Sequence, residues 1–403
     1  MNKRIWIINE YAGSPKYGMT FRHYYLAKAF NDAGCDTTII SGAYSHFLKQ
    51  LPQMAESTYK VENVEGVRFL WIKVVKYMKS FDKKRVYKWF EFMMKLFFIS
   101  KYIPGKPDVI ICSPTAPFSI LPAYWLAKKY HAKLIFEVRD IWPLTLIELG
   151  GFSKTNPFVV LMGWFERFAL KKSDIIVSNL QNYGQHMKDL GIDRPFHWIS
   201  NGIDLKEMEE VQPLDENVRA QIPKEKFIVG YTGKIGVSNA LEVFLEAAVH
   251  LKGKTDIVFI IVGEGQEKAS LIKRYGALEN VVFIDSITKQ QVQSILALFD
   301  ACYIGLQSES LFRFGVSPNK VFDYMYSAKP IIYAIDSGEH NLIEIAGCGI
   351  SVEAENPEAV AKAIAEIYEM PQQEREKLGL AGRKYVLEHF TYMQLAKKYL
   401  ELL

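Results

Sequence analysis

Short runs of apolar, often β-branched residues recur along this chain, each followed by an amphipathic stretch, and the alternation starts afresh near residue 227. In the first half the runs cover residues 4–9, 37–41, 67–72, 109–113, 133–138, 174–178 and 196–200. Several are continuous rather than alternating, as in strands buried on both faces of a parallel sheet. Helical patterns intervene at 21–33, 120–130 and 157–172. The second half repeats the scheme, with strands at 227–230, 257–263, 281–284, 301–306, 330–335 and 349–352. Helices are expected at 240–251, 266–275, 289–298, 318–327 and 357–369, followed by a broken helical tail over 372–403. Repeated strand–helix units imply an α/β class with two doubly wound, Rossmann-like domains. A polar, proline-containing stretch at 204–226 reads as the linker.

Length and composition agree. At roughly 100–200 residues per domain, 403 residues suit two domains. A hydrophobic fraction of 49% with 23% charged residues is that of a globular protein. The net charge of +4 is too small to argue for nucleic acid. Cys35, Cys112, Cys302 and Cys348 are widely spaced, which argues against a metal site or disulfide framework and for a reducing compartment. The N-terminal residues lack the features of a signal peptide, and no apolar run reaches the ~18 residues of a spanning helix. A cytoplasmic location is expected.

In open α/β sheets, ligands sit beyond the carboxyl ends of the strands, so the loops after strands carry the candidate sites. The loop after the first strand holds Gly13 and Gly18 and leads to Arg22 and His23 on a first helical turn. The pair could face a ligand or solvent; the absence of GxGxxG disfavours a dinucleotide. Arg139-Asp140 follows the 133–138 strand, and Asp140 could orient a hydroxyl or accept a proton, or pair structurally with Arg139. Gly233-Lys234 follows the first strand of the second half. Asn239 and Glu242 downstream have capping-box spacing. Glycines, a lysine and a helix start together suit a diphosphate, or mark a solvated lysine on an ordinary loop. Glu264 lies in a tight Gly-Glu-Gly turn after another strand.

The most specific segment is Ser317-Pro318-Asn319-Lys320-Val321-Phe322-Asp323. Ser317 fits an N-cap and Pro318 the first helical position. Lys320 and Asp323 then share one helix face, either for phosphate and ribose or as an i,i+3 ion pair. A different signal occupies residues 73–106, where ten Lys/Arg face two acids. Val86, Trp89, Phe90, Met93, Met94, Phe97 and Phe98 recur there at spacing three and four, with Lys84, Lys88, Glu91 and Lys95 on the other side. This amphipathic helix could pack on its domain or lie on anionic lipid.

At these residues the chain resembles the retaining nucleotide-sugar glycosyltransferases of family four, which have the GT-B fold. The resemblance spans nearly the whole chain and includes Ser200-Asn201-Gly202, Gly233-Lys234, Gly263-Glu264-Gly265, Ser317 to Asp323, and Ala328-Lys329-Pro330. Arg139 to Pro143 and the basic aromatic stretch resemble a subgroup containing N-acetyl-L-fucosamine transferases of capsule and O-antigen synthesis. The resemblance implies an acceptor domain over 1–204, a donor domain over 205–385, and a helix over 386–403 returning to the first. It implies a UDP- or GDP-sugar donor, UDP before GDP, with retention of configuration and neither cofactor nor essential metal. Gly233, Lys234, Glu264, Ser317, Asn319, Lys320 and Asp323 would bind the donor, and Gly18, Arg22, His23 and Arg139 the acceptor. Asp140, Lys234 and Lys320 would be catalytic. The acceptor would be a saccharide, lipid-linked, with residues 73–106 on the cytoplasmic membrane face.

Two departures stand out. Gly315 occupies the place of the first glutamate of the family's E-x7-E motif, of which Asp323 matches the second; Glu309 is a candidate substitute. Asn239 occupies the place of the second diphosphate lysine, and Lys320 could replace it. Competing readings are a nucleotide-sugar 2-epimerase and a non-catalytic nucleotide-sugar-binding partner.

Overall fold

The computed structural model describes residues 3–18, 21–77, 83–337 and 341–403. Met19 and Thr20 of the first loop, and Lys79 and Asp82 of the basic stretch, lie outside the described residues. The chain divides into two compact units, Met1–Asn201 with Tyr392–Leu403, and Gly202–Thr391.

The first unit contains β1 (Arg4–Ile8), β2 (Asp36–Gly42), β3 (Tyr59–Val64), β4 (Val67–Ile72), β5 (Val109–Cys112), β6 (Lys133–Val138), β7 (Ile175–Ser178) and β8 (His197–Trp198). They form an eight-stranded sheet in the order β3-β4-β2-β1-β5-β6-β7-β8. All neighbours are parallel except β3 and β4. The expected strand over 196–200 shrinks to two residues, and β3 was not expected. The β3–β4 hairpin closes through Glu65 and Gly66, both at positive φ, as a two-residue turn matched to strand twist demands. The C-terminal helix Tyr392–Glu401 belongs to this unit, with Tyr392 stacked on Tyr25 and Tyr399 edge-on to Phe30.

The second unit contains β9 (Phe227–Thr232), β10 (Ile257–Val262), β11 (Val281–Ile284), β12 (Ala301–Gly305), β13 (Ile331–Ala334) and β14 (Gly349–Val352). The sheet is parallel throughout, in the order β11-β10-β9-β12-β13-β14. Every residue of β9, β10 and β12 is buried, which explains their largely apolar character. Phe244 stacks on Tyr303 at 4.3 Å within this core. The strand order reverses at β9/β12, the point where a doubly wound sheet opens a crevice.

Three local expectations are corrected. Residues 204–226 are not a bare linker but carry the short helices Leu205–Glu209 and Glu216–Arg219. The capping box of Asn239 and Glu242 does not form: the helix Leu241–His250 is entered through Ala240 in the left-handed region, without a side-chain cap. Glu242 pairs instead with Arg274. Ser317 is not the N-cap of its helix; that position is Pro318, whose extended ψ of 123° starts the helix at Asn319.

Candidate functional site

In the second unit, the loops leaving β9 and β10 press against each other. The Gly233 amide donates to the Val262 carbonyl at 2.9 Å, and the Ile235 amide to that of Glu264 at 2.9 Å. A Cβ on Gly263 would meet the Gly233 carbonyl oxygen at 1.8 Å, and one on Gly265 the Ile235 carbonyl oxygen at 1.8 Å. Gly263 also sits at φ +152°. Only glycine permits this approach. The result is a rigid rim around a cavity of about 560 Å³.

Six residues expected to bind the sugar donor line that cavity: Gly233, Lys234, Glu264, Asn319, Lys320 and Asp323. Ser317 is not among its lining residues. Lys234 is exposed, so its ammonium is available to an anion. Lys320 reaches across from the helix Asn319–Tyr326. Its Nζ donates to the Tyr231 hydroxyl at 2.6 Å and to Asn239 Oδ1 at 2.9 Å, and lies 4.1 Å from the Tyr231 ring centroid. Tyr231 donates in turn to the Lys234 carbonyl at 2.7 Å. The lysine and the asparagine that stands in the second lysine's place therefore touch. Burial pushes the Lys320 ammonium down to about 7, because its partners are neutral and do not offset lost hydration.

Asp323 does not pair with Lys320. Its Oδ1 accepts from Lys289 Nζ at 2.7 Å. Lys289 also lines the cavity, with Ser286, Ile287 and Val292. Burial opposes its charge, but Asp323 and Glu207 raise its pKa above the ordinary value. Sequence reasoning missed Lys289, since 34 positions separate it from Asp323. The available signal was its place at a helix start after β11, where Thr288 and Gln291 form a capping box. Glu264 accepts from Lys268 Nζ at 2.6 Å, and the same ammonium reaches Asp285 at 2.5 Å.

The first unit treats its candidates differently. Arg22 and His23 are buried. Arg22 Nε and Nη2 donate to Glu137 Oε1 at 3.0 and 2.7 Å, and Nη2 also to the Ile199 carbonyl at 2.9 Å. Its Nη1 donates to the Ser200 carbonyl, and Tyr399 donates to the same Glu137 oxygen at 2.7 Å. His23 Nε2 lies 2.9 Å from Ser113 Oγ and 3.6 Å from Glu137. Burial alone would raise Glu137, but the Arg22 guanidinium and the nearby His23 ring hold it well below the usual carboxylate range. Burial outweighs the attraction of Glu137 at His23 and lowers it to about 4. Arg22 and Glu137 thus tie together β6, the 199–200 segment and the C-terminal helix. Glu137 was overlooked; its signal was one acid inside a continuous apolar strand, which must be paired to be buried.

Gly18 has φ +114° and bridges Ser14 and Leu48, where a Cβ would crowd the Lys49 amide at 2.7 Å. Asp140 borders a pocket of about 10 Å³ with Trp142, Glu166 and Tyr183. The residue is exposed at the surface, yet the protein packed around its carboxyl raises its pKa. Arg139 is half-buried beside it. Beside the β1/β5 switch point Glu10 is buried, its Oε1 accepting from the Thr115 amide at 3.1 Å. Lys88, expected on the polar face of its helix, is fully buried, 3.3 Å from the Glu10 carbonyl and 3.8 Å from the Tyr11 ring centroid. The buried face of the helix Lys83–Leu96 is Lys88, Trp89, Phe92 and Leu96, rotated from the expected stripe.

Two parallel-sheet, Rossmann-like units, with a cation-lined cavity at the strand ends of the second, define the GT-B glycosyltransferase class. Residues 18–207 match Glycosyltransferase Family 4 and residues 215–385 match Glycosyl transferases group 1. The two matches, one to each unit, mark the chain as a glycosyltransferase of the GT-B fold. It is 24% identical over 297 residues to WcaI of Escherichia coli (strain K12), whose name places it in colanic acid biosynthesis as a glycosyl transferase; the match covers 68% of this chain and 71% of that one. In fold it is similar to a sucrose-phosphate synthase from Thermosynechococcus elongatus, with TM-score 0.71, 16% identity, and 100% and 98% of the two chains covered. It is also similar to Anabaena Alr3699/HepE solved with UDP-glucose, with TM-score 0.65, 14% identity, and 100% and 99% covered. Among the described residues no helix is long and apolar enough to cross a membrane, and no group of three or more His, Cys, Asp or Glu could hold a metal ion.

Proposed function

We propose that this glycosyltransferase transfers a sugar, with retention of configuration, from a nucleoside-diphosphate sugar to a lipid-linked saccharide during assembly of a bacterial surface polysaccharide. UDP is favoured over GDP as the carrier, and an N-acetylated deoxy amino sugar as the transferred group. The observation that carries the reading is the convergence of Lys234, Lys320 and Asp323 on one cavity at the strand ends of the second unit. Lys234 and Lys320 take the diphosphate, and Asp323, steadied by Lys289, accepts a ribose hydroxyl. Asp323 lacks one methylene of the family's glutamate, and the Lys289 ammonium beside it supplies a further donor toward the ribose.

As the bond to the anomeric carbon breaks, negative charge grows on the departing diphosphate. Two fixed ammonium groups stabilise it without reorganising, which is the largest kind of catalytic contribution. The reaction then needs no metal. Of the two carboxylates in the cavity's lining, Asp323 is held by Lys289 and Glu264 by Lys268; the acceptor therefore attacks the face the diphosphate leaves, and a departing phosphate oxygen takes its proton. Asp140 is the candidate in the first unit for orienting an acceptor hydroxyl. Contact of residues 73–106 with the cytoplasmic membrane face would bring the protein to a lipid-linked acceptor. The test is turnover of a panel of UDP- and GDP-sugars with membrane extract as acceptor, with and without EDTA. Nucleotide release and an α- or β-linked product matching the donor are expected, undiminished by EDTA. Binding of every donor without transfer, or inversion in the product, would overturn the reading.

A further inference from the structure

The basic helix Lys83–Leu96 is not alone on its face of the first unit. Phe97, just beyond it, lies edge-on to Trp125 of the helix Ile120–Tyr130 at 5.6 Å. The neighbouring Tyr124 meets Phe168 of the helix Pro157–Lys172 at 5.3 Å, and Phe168 stacks on Trp164 at 5.6 Å. One aromatic seam therefore runs across three helical segments. Its two tryptophans are open to solvent, Trp125 43% exposed and Trp164 53%, while Phe97, Tyr124 and Phe168 are half-buried; Met94 and Phe98, on or just after the basic helix, are also exposed. A patch of this kind on a globular unit marks a docking surface.

We propose that this aromatic seam is where the protein enters the headgroup boundary of an anionic bilayer, with Trp125 and Trp164 as the inserted side chains. The surrounding charge selects that partner. Lys128 and Lys129 sit over the Tyr124 and Trp125 rings at 5.5 and 4.9 Å, and Lys171 and Lys172 end the other helix. The single acid on the two helices, Glu166, is buried against His186 at 2.8 Å, so neither helix offers negative charge outward. Tryptophan with flanking lysine is the pairing that settles at a membrane interface. A second copy of the same face would bring lysine to lysine, which disfavours self-association. The surface thus extends the expected lipid contact from residues 73–106 to two further helices, and it does not rest on the donor chemistry.

Vesicle flotation without nucleotide tests it, so its outcome is separate from that of the donor reading. The probes are phosphatidylcholine vesicles with and without one-third phosphatidylglycerol. The full chain should float with the anionic vesicles and bind neutral ones at least about tenfold more weakly. Trp125→Ser with Trp164→Ser should reduce anionic binding about tenfold or more, with circular dichroism and thermal midpoint unchanged. Brominated lipid should quench part of the wild-type tryptophan emission, a readout that does not depend on the variant folding. Absence of wild-type binding, binding that the double substitution leaves intact, or a concentration-dependent dimer that the double substitution abolishes would each overturn the proposal.

Discussion

Lys320 makes nucleotide binding depend on pH in a direction the geometry fixes. In the free protein its ammonium has two neutral partners, Tyr231 and Asn239, and burial brings its pKa to about 7. A bound diphosphate supplies the missing negative charge and should return the pKa toward the ordinary ~10.4. Between those values the complex holds a proton that the free protein lacks. Binding therefore takes up about half a proton at pH 7 and about 0.9 at pH 8, and affinity falls about tenfold for each further pH unit. From pH 7 to 9 the dissociation constant of UDP should rise on the order of 100-fold. The second ionisation of a phosphate, near ~6, is complete over this range and adds little. The Tyr231 phenol is pushed up by burial and stays protonated. Isothermal titration calorimetry of UDP and GDP, in buffers of differing ionisation heat, reads both the affinity and the proton count. Lys320→Arg should flatten the profile, since a guanidinium remains charged. A wild-type affinity that stays constant between pH 7 and 9, with no buffer dependence, would refute the assignment of Lys320 to the diphosphate.

Lys234→Ala should weaken UDP or GDP binding by about 1.5–3 kcal/mol, roughly 10- to 150-fold, at an unchanged melting temperature; calorimetry checks it, and a full-affinity variant would remove Lys234 from the site. Gly263→Ala forces a methyl onto the Gly233 carbonyl, where 1.8 Å is available, and should cost roughly 1–3 kcal/mol of stability together with nucleotide binding. Glu137→Gln strands the buried Arg22 charge and should destabilise the first unit by about 3–5 kcal/mol in urea unfolding. Below pH 6.5 the unfolded chain protonates His23 while the folded form resists down to about 4, so stability falls with pH across that window by up to about 3 kcal/mol. His23→Gln should shrink that slope.

The α/β class and the restart at residue 227 were legible because strands buried on both faces are apolar nearly throughout, as in β9 and β10. The donor loops were legible for a related reason: glycine and lysine after a strand leave a local mark, and Gly233, Lys234, Lys320 and Asp323 do share one cavity. Arg22 and His23 read equally well as ligand-facing or internal, since a helix start after β1 does not say which way a side chain turns. Their partner Glu137 is 115 positions from Arg22.

By itself, the sequence determined the two-sheet architecture and which loops carry cations, because periodicity and glycine placement act over a few residues. Pairings between distant residues were decided only by tertiary structure. It set Lys320 against Asn239 and gave Asp323 to Lys289, not to its helix neighbour. It buried Lys88 on a face that looked polar, and it brought Phe97, Trp125, Tyr124, Phe168 and Trp164 into one aromatic seam with both tryptophans exposed. The physical reason is common to all four. Burial and charge pairing depend on which surfaces the folded chain brings together, and spacing along one helix or strand carries no record of what packs against it.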